Sequence, residues 1–340
     1  MLRPGKLPPD VLAQLLARIP QDDPRVLLGP GVGRDAAVID IGHGRVLVAK
    51  TDPVTFAAED IGWYAINVNA NDIACMGARP AWCMATVLLP PGASEDLPGR
   101  ILDQLLAAAQ NLGIQLVGGH TEVTLGLDRP IVVGAMLGEA ARENIVTGEG
   151  IVPGDAVMLA GSIAIEGTAL LAREAPQALA RAGIAPATLE RCQKLLHDPG
   201  ISIVAAAQAL TARVRPRLMH DPTEGGIATA LWEMATAAGA SLRIDAAAIH
   251  VRDETGAVCE ALGLNPLGLL ASGALLAIVS AADVEAVASA DNPSMFRHIG
   301  TVVKGPSTVI LQDSNTPFPR FERDELARYF ESMAEGQPAE

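Results

Sequence analysis

The first half of the chain alternates short apolar runs with longer helical patterns. Residues 35–41 (DAAVIDI) and 45–51 (RVLVAKT) read as two strands joined by a turn at Gly42-His43-Gly44. A helix is expected over about 59–76, with Gly77 placed to stop it. Residues 85–89 form a third strand, ended by Pro90-Pro91-Gly92. Ser94 then caps a long helix with Glu95 and Asp96 in its first turn and Gly113 beyond its end. Runs at 115–117 and 131–137 complete a sheet, and the polar, glycine-containing stretch 138–150 reads as a linker. Beyond it the pattern predicts a strand at 156–159 and helices near 166–182, 187–197, 202–213 and 223–238. Further strands are expected at 241–244, 274–280, 301–303 and 308–311. The expectation is therefore two domains, 1–145 and 146–340, each an α+β arrangement on a mixed sheet.

The length of 340 residues agrees with two domains, and 49% hydrophobic residues can fill two cores. With aromatics at 3%, those cores must be aliphatic and alanine-rich. No apolar run approaches the roughly 18 residues of a membrane span, and Met1–Lys6 leads into no signal core. A cytoplasmic protein without a membrane partner is expected. The formal charge of −14, with no dense Lys/Arg cluster, disfavours a nucleic-acid partner. Cys75, Cys83, Cys192 and Cys259 match no zinc spacing and include no Cys-x-x-Cys, so they read as reduced, buried small hydrophobes.

Local rules are broken in a few places. The helix at 59–76 carries Asn67, Asn69, Asn71 and Asp72 between Ile66, Val68 and Ile73. Asn and Asp compete with helix hydrogen bonds, and buried polar groups are costly unless satisfied. Either a polar network ties this helix to its neighbours, or its face meets a ligand or metal; the pattern leaves both open. The loop Gly29–Asp35 contains Gly31 and Gly33, which let backbone N–H groups approach phosphate, but it is neither a Walker A loop nor a GxGxxG helix start. An ordinary loop explains it better. Lys50-Thr51-Asp52 stands where an apolar strand is expected to end, and Gly118-Gly119-His120-Thr121-Glu122 follows another. In His220–Gly226, Asp221 fits an N-cap, Pro222 the first helical position and Glu224 a capping-box partner. Gly225-Gly226 inside such a helix start is unfavourable, and a ligand lying close would explain it. Asp35, Asp52, Asp72 and Asp221 are thus carboxylates beside glycines, a composition that suits Mg²⁺ bridged to phosphates.

These segments carry a resemblance. Gly33-Arg34-Asp35-Ala36-Ala37-Val38, Lys50-Thr51-Asp52-Pro53, Asn71–Pro80, Gly118-Gly119-His120-Thr121 and Asp221–Gly226 occur in the order of the AIR synthase-like superfamily's short elements. Asn265-Pro266-Leu267 and Ser272-Gly273 fit downstream. The chain resembles the hydrogenase-maturation HypE branch most. The resemblance implies an N-terminal domain whose mixed sheet pairs with a second copy in a barrel-like homodimer, and a C-terminal α/β domain. It implies ATP and Mg²⁺ as cofactors. It assigns Asp35, Asp52, Asp72 and Asp221 to metal and phosphate, with Asp72, Asp221 and Lys50 as the catalytic group. Gly31, Gly33, Lys50, Thr51, Asn71, Gly118, Gly119, His120, Thr121 and Gly225 would line the nucleotide. Arg34 replaces an acidic residue of the pattern, which implies fewer metals. His120 stands where Asp is usual, and Glu122 would supply the missing carboxylate.

The HypE branch has a reactive C-terminal cysteine and an Asn-Glu-Gly where this sequence has Ala271-Ser272-Gly273. These residues end Gly336-Gln337-Pro338-Ala339-Glu340, so dehydration of a group on their own tail is not expected. The leading expectation is an enzyme that phosphorylates an amide or carbonyl oxygen of a small substrate or carrier. The alternatives are a small-molecule kinase of the thiamine-phosphate type and a non-catalytic nucleotide-binding assembly protein with a maturation partner.

Overall fold

The computed structural model describes residues 7, 9–31, 33–34, 36–55, 57, 59–288 and 296–334. It divides into two compact units that meet in sequence at Ile145 and Val146.

The first unit runs α1 (Pro9–Leu16), β1 (Val26–Leu28), β2 (Ala37–Gly42), β3 (Arg45–Val54), α2 (Ile61–Cys75), β4 (Arg79–Leu89), α3 (Leu97–Leu112), β5 (Gln115–Val123) and β6 (Ile131–Ala141). Its six strands are ordered β1-β2-β3-β6-β4-β5. Only β4 and β5 pair parallel, as their connection through a helix requires. Strict alternation along β6 buries Val132, Gly134, Met136, Gly138 and Ala140 on one face. Two of these residues are glycines four apart, and each makes room for α2. A Cβ at Gly134 would stand 2.4 Å from Asn69 Nδ2, and one at Gly138 2.3 Å from Ile73 Cγ2. Helix and strand therefore interlock at matching four-residue intervals. α2 is consequently buried almost all round, including Asn67, Asn69, Asn71 and Asp72.

Several strands exceed their expected lengths. β3 continues through Pro53 to Val54, so Lys50, Thr51 and Asp52 lie inside a strand and not at its end. β4 starts at Arg79, its proline taken up beside a register shift between Pro80 and Trp82. β6 continues to Ala141, which moves the first four residues of the expected linker into the sheet. β5 extends through Gly118-Gly119-His120-Thr121-Glu122, expected to follow a strand. Gly119 is there because β4 approaches closely: a Cβ on it would lie 2.0 Å from the Ala85 carbonyl oxygen.

The second unit runs β7 (Ala156–Ala160), α4 (Ile165–Glu174), α5 (Pro176–Arg181), α6 (Pro186–Lys194), α7 (Val204–Thr211), β8 (Leu218–His220), α8 (Gly226–Ala238), β9 (Ser241–Ile244), α9 (Asp253–Leu262), β10 (Leu275–Val279), α10 (Val284–Ala288), β11 (Phe296–Val303), β12 (Val309–Leu311) and α11 (Glu325–Ala334). Its sheet order is β12-β9-β11-β7-β10-β8, with β12 and β9 parallel and the rest antiparallel. β7 and β10 are buried at every position, as strands covered on both faces must be. Pro176 splits the helix expected over 166–182.

The helix expected from 223 starts at Gly226. Gly225, not Asp221, is its N-cap, with φ of 79°, and Gly226 has φ of 62°. Left-handed backbone at both positions excludes the capping-box start and requires glycine. Space requires it too: a Cβ at Gly226 would meet Leu267 O at 2.6 Å. Among the described residues no helix is long and apolar enough to cross a membrane.

Candidate functional site

Three of the sequence-nominated side chains meet in the first unit. Lys50 and Asp52 share one face of β3, and Asp72 projects from α2. Lys50 Nζ lies 3.0 Å from Asp72 Oδ2 and 3.4 Å from Asp52 Oδ2. The Asp72 side chain is 6% exposed, Lys50 17% and Asp52 40%, so the ammonium bridges a buried and a wetter carboxylate. Such a half-buried triad is held more strongly than a surface pair because water screens it less.

Asp52 is held by a residue the sequence reading mentioned but did not nominate. β2 stops pairing with β3 at Ala49, which leaves the next backbone groups of β3 without that strand. Asn69 substitutes for it. Its Oδ1 accepts from Asp52 N–H at 2.9 Å, and its Nδ2 donates to Ala65 O at 2.8 Å and Asp52 O at 3.3 Å. The amide thus mimics a missing ladder partner, and Gly134 is the space it fills. Asn67 donates to Trp63 O at 2.9 Å. The polar-network reading of the α2 asparagines therefore holds for Asn69, which ties α2 to β3, whereas the Asn67 bond stays within α2 and Asp72 carries the charged contact. Asn69→Leu keeps the shape and removes these bonds. It should lower stability by about 2 kcal/mol, since it leaves a partly buried Asp52 N–H unpaired. Urea denaturation measures this, and an unchanged midpoint would mean that Asn69 does not hold β3.

The other nominated residues lie elsewhere. Thr51 Oγ1 donates to Gly134 O at 2.8 Å and is thereby engaged within the sheet. Asn71 is buried on α2. The space a Cβ at Gly31 would need is filled by Arg34, whose Nη1 donates to Gly29 O at 3.0 Å. Asp35 lies outside the described residues. Gly118, Gly119, His120, Thr121 and Glu122 occupy edge strand β5, separated from β3 by β6 and β4. Three strand spacings put them about 14 Å from the Lys50 row. His120 Nε2 and Glu122 Oε2 are 3.2 Å apart, and Glu122 also accepts from Thr124 at 2.8 Å. These contacts, Thr124 first, hold the Glu122 carboxyl below its usual range. Within one chain Glu122 does not join the aspartates, and no group of three or more potential ligands that could hold a metal occurs among the described residues.

In the second unit, β7, β10 and β8 are neighbours, and their antiparallel registers bring the end of β7, the start of β10 and the end of β8 together. Glu166 follows β7 in the first turn of α4, Ser272 precedes β10, and Asp221 follows β8. All three are buried. Glu166 Oε2 accepts from Ser272 N–H at 3.1 Å, and Gly167 N–H donates to Leu270 O at 2.9 Å. Burial, reinforced by the charges of Asp324 and Asp221, pushes the Glu166 carboxyl up to about 7. Burial likewise raises Asp324 to about 6, with Glu224 adding to it. Glu166 and Asp324 were not foreseen. An acidic residue in a first helical turn is ordinary in a sequence, and Asp324 lies about a hundred residues from the loop it serves. All four cysteines are free and buried. Burial pushes the thiols of Cys83 and Cys192 to about 11 and of Cys259 to about 12, which leaves them unreactive.

Comparison with known proteins follows this division. Residues 33–140 match the AIR synthase related protein N-terminal domain, and residues 152–312 its C-terminal domain. The carbamoyl dehydratase HypE of Cupriavidus necator is 31% identical over 266 residues, 76% of this chain and 72% of that protein. The hydrogenase maturation protein HypE solved in complex with ATP is 24% identical with a TM-score of 0.65, covering 90% of this chain and 92% of that one. AaThiL complexed with AMPPCP and TMP is 19% identical with a TM-score of 0.70, covering 92% and 94%. The two likenesses to solved structures describe the fold, which both branches share.

Proposed function

Since the chain belongs to the AIR synthase related protein family in both of its halves, we propose that it is an ATP- and Mg²⁺-using enzyme that phosphorylates an amide or carbonyl oxygen. The observation that carries this reading is the Lys50 ammonium held between Asp52 and Asp72. A lysine beside two carboxylates suits a triphosphate with its metal: the carboxylates take the cation and the ammonium turns to phosphate oxygen. The donor set fits Mg²⁺, which keeps several waters and needs one or two carboxylates plus substrate phosphates, not a dedicated cage. Asp52 and Asp72 would hold it, and the ion would neutralise charge on the transferring phosphoryl group. Lys50 would then orient the phosphates, and Asn69 would keep β3 in place beneath them.

The Cupriavidus necator relative, 31% identical, is a carbamoyl dehydratase, which favours amide chemistry over plain phosphorylation of an alcohol or phosphate. The four cysteines in these residues are buried, so none of them would carry the group acted on. The residues of β5 fit the same site in a homodimer. β5 is an edge strand with Val117 and Val123 more than half exposed, and a second copy pairing there would cover them.

Calorimetry with ATP, with and without Mg²⁺, tests the reading on the wild type and on Asp52→Asn. Mg²⁺-dependent binding weakened about tenfold or more by the substitution is expected, as for loss of one charge-assisted contact. A wild type that binds no ATP would remove the proposal, and equal binding by both proteins would remove Asp52 from it.

A further inference from the structure

The segment that follows the family match, which ends at Leu311-Gln312, crosses the second unit and ends on the Asp221–Gly226 loop. Phe318 is buried and donates its N–H to Val309 O at 2.9 Å, fixing the segment to β12. Trp232 Nε1 donates to Pro319 O at 3.4 Å, fixing it to α8. Two consecutive acids then reach two different loops. Asp324 Oδ2 accepts from Gly225 N–H at 2.6 Å, and Oδ1 accepts from Leu326 N–H at 2.7 Å. Glu325 Oε2 accepts from Asn265 N–H at 2.8 Å.

We propose that residues 317–334 are a positioning strap for the Asp221–Gly226 loop, and that Asp324 is the residue through which the strap acts. Gly225 is the left-handed N-cap of α8 and makes no side-chain cap of its own, so its N–H is an orphan donor at a helix start. The Asp324 carboxylate satisfies it from outside the helix. The strap thereby fixes where the loop carrying buried Asp221 turns into α8. A bare structural anchor would not need an ionisable group here, since two carboxylate oxygens among other acids are held at some cost. The charge that raises Asp324 is that of Glu224 in the loop, the N–H groups of Gly225, Leu326 and Leu270 oppose it, and the charges of Asp324 and Asp221 in turn bear on Glu166 on α4. On its own segment Arg323 pairs with Glu331 and Arg328 with Glu325. Burial raises the Asp324 carboxyl to about 6, so the closed strap keeps a proton that a released, solvated Asp324 would give up, and the hold weakens as pH rises through the window up to about 6.

The test is hydrogen exchange of the 223–227 backbone of the full chain, corrected for intrinsic rates, at pH 7.5 and 5.5. Asp324→Asn should raise exchange at Gly225–Ile227 about tenfold at pH 7.5 and leave the centre of α8 protected. The wild type should be better protected at Gly225 at pH 5.5 than at pH 7.5, and the variant should change little with pH. Arg328→Ala, which removes a donor to Gly263 O and the Glu325 pair, should loosen α11 and keep the pH dependence at Gly225. Unchanged exchange at Gly225, or exchange raised equally through all of α8, overturns the strap, and a wild type that exchanges faster at pH 5.5 overturns the assignment to Asp324.

Discussion

Lys50→Met should destabilise the first unit by about 3 kcal/mol in the presence of EDTA, and millimolar Mg²⁺ should restore a large part of that loss. The methionine fills the volume of the lysine stem but supplies no charge. Asp72, with 6% of its side chain exposed, loses the ammonium at 3.0 Å. Breaking one partner from a buried pair costs about 3–5 kcal/mol because the remaining charge is poorly solvated. The lower end applies here, since Asp72 can take up a proton and Asp52, at 40% exposure, retains water. For a unit of this size the thermal midpoint should fall by about 10 °C. The Mg²⁺ effect is the discriminating part. In the wild type the ammonium already offsets one of the two carboxylate charges and stands between them, so the free ion should change the midpoint little until nucleotide is added. In the variant the ion replaces the missing charge directly. A variant midpoint indifferent to Mg²⁺ would show that Asp52 and Asp72 do not form a cation site, whatever the protein does with ATP.

How far the chain could be read in advance depended on whether the physics was local. The helix over Ile61–Cys75 was legible because Gly77 stops it and its asparagines are conspicuous among apolar neighbours. That Asn69 serves as a strand partner was not legible, because the need for it arises where β2 stops pairing with β3. The Gly118-Gly119 element was expected to follow a strand, not to lie within one, and nothing nearby in sequence says that Ala85 O will stand where the Gly119 side chain would be. Asp221 as an N-cap failed in the same way. Asp-Pro-x-Glu is a good local start signal, but Gly225 and Gly226 take left-handed backbone packed against Leu267, and α8 begins five residues later than Asp221. The motifs pointed to Lys50, Asp52 and Asp72, which the fold does bring together, and to β5 residues, which one chain leaves three strands away. Glu166 and Asp324 carried no sequence signal, since their character comes from burial beside each other.

That burial makes Glu166→Gln the most informative stabilising substitution. The ordinary value for the group is 4.5, and in the fold it stands at about 7. A carboxyl raised in the folded state keeps a proton that the unfolded chain has released, so stability falls as pH rises through that window. The difference corresponds to about 3 kcal/mol, fully felt above pH 7 and absent below about 4.5. Glutamine keeps an oxygen to accept from Ser272 N–H and never ionises. The variant should therefore be more stable than the wild type by about 2–3 kcal/mol at pH 8 and nearly equal to it at pH 5, by urea denaturation. A gain of the same size at both pH values would mean that packing, not ionisation, is responsible. A residue that weakens the fold at neutral pH, at the junction of three strand ends with Asp221, is the kind of site that persists through function and not stability. Loss of ATP-dependent turnover in a protein made more stable by the same change would therefore place Glu166 in the chemistry, and unaltered turnover would leave it a buried acid without that role.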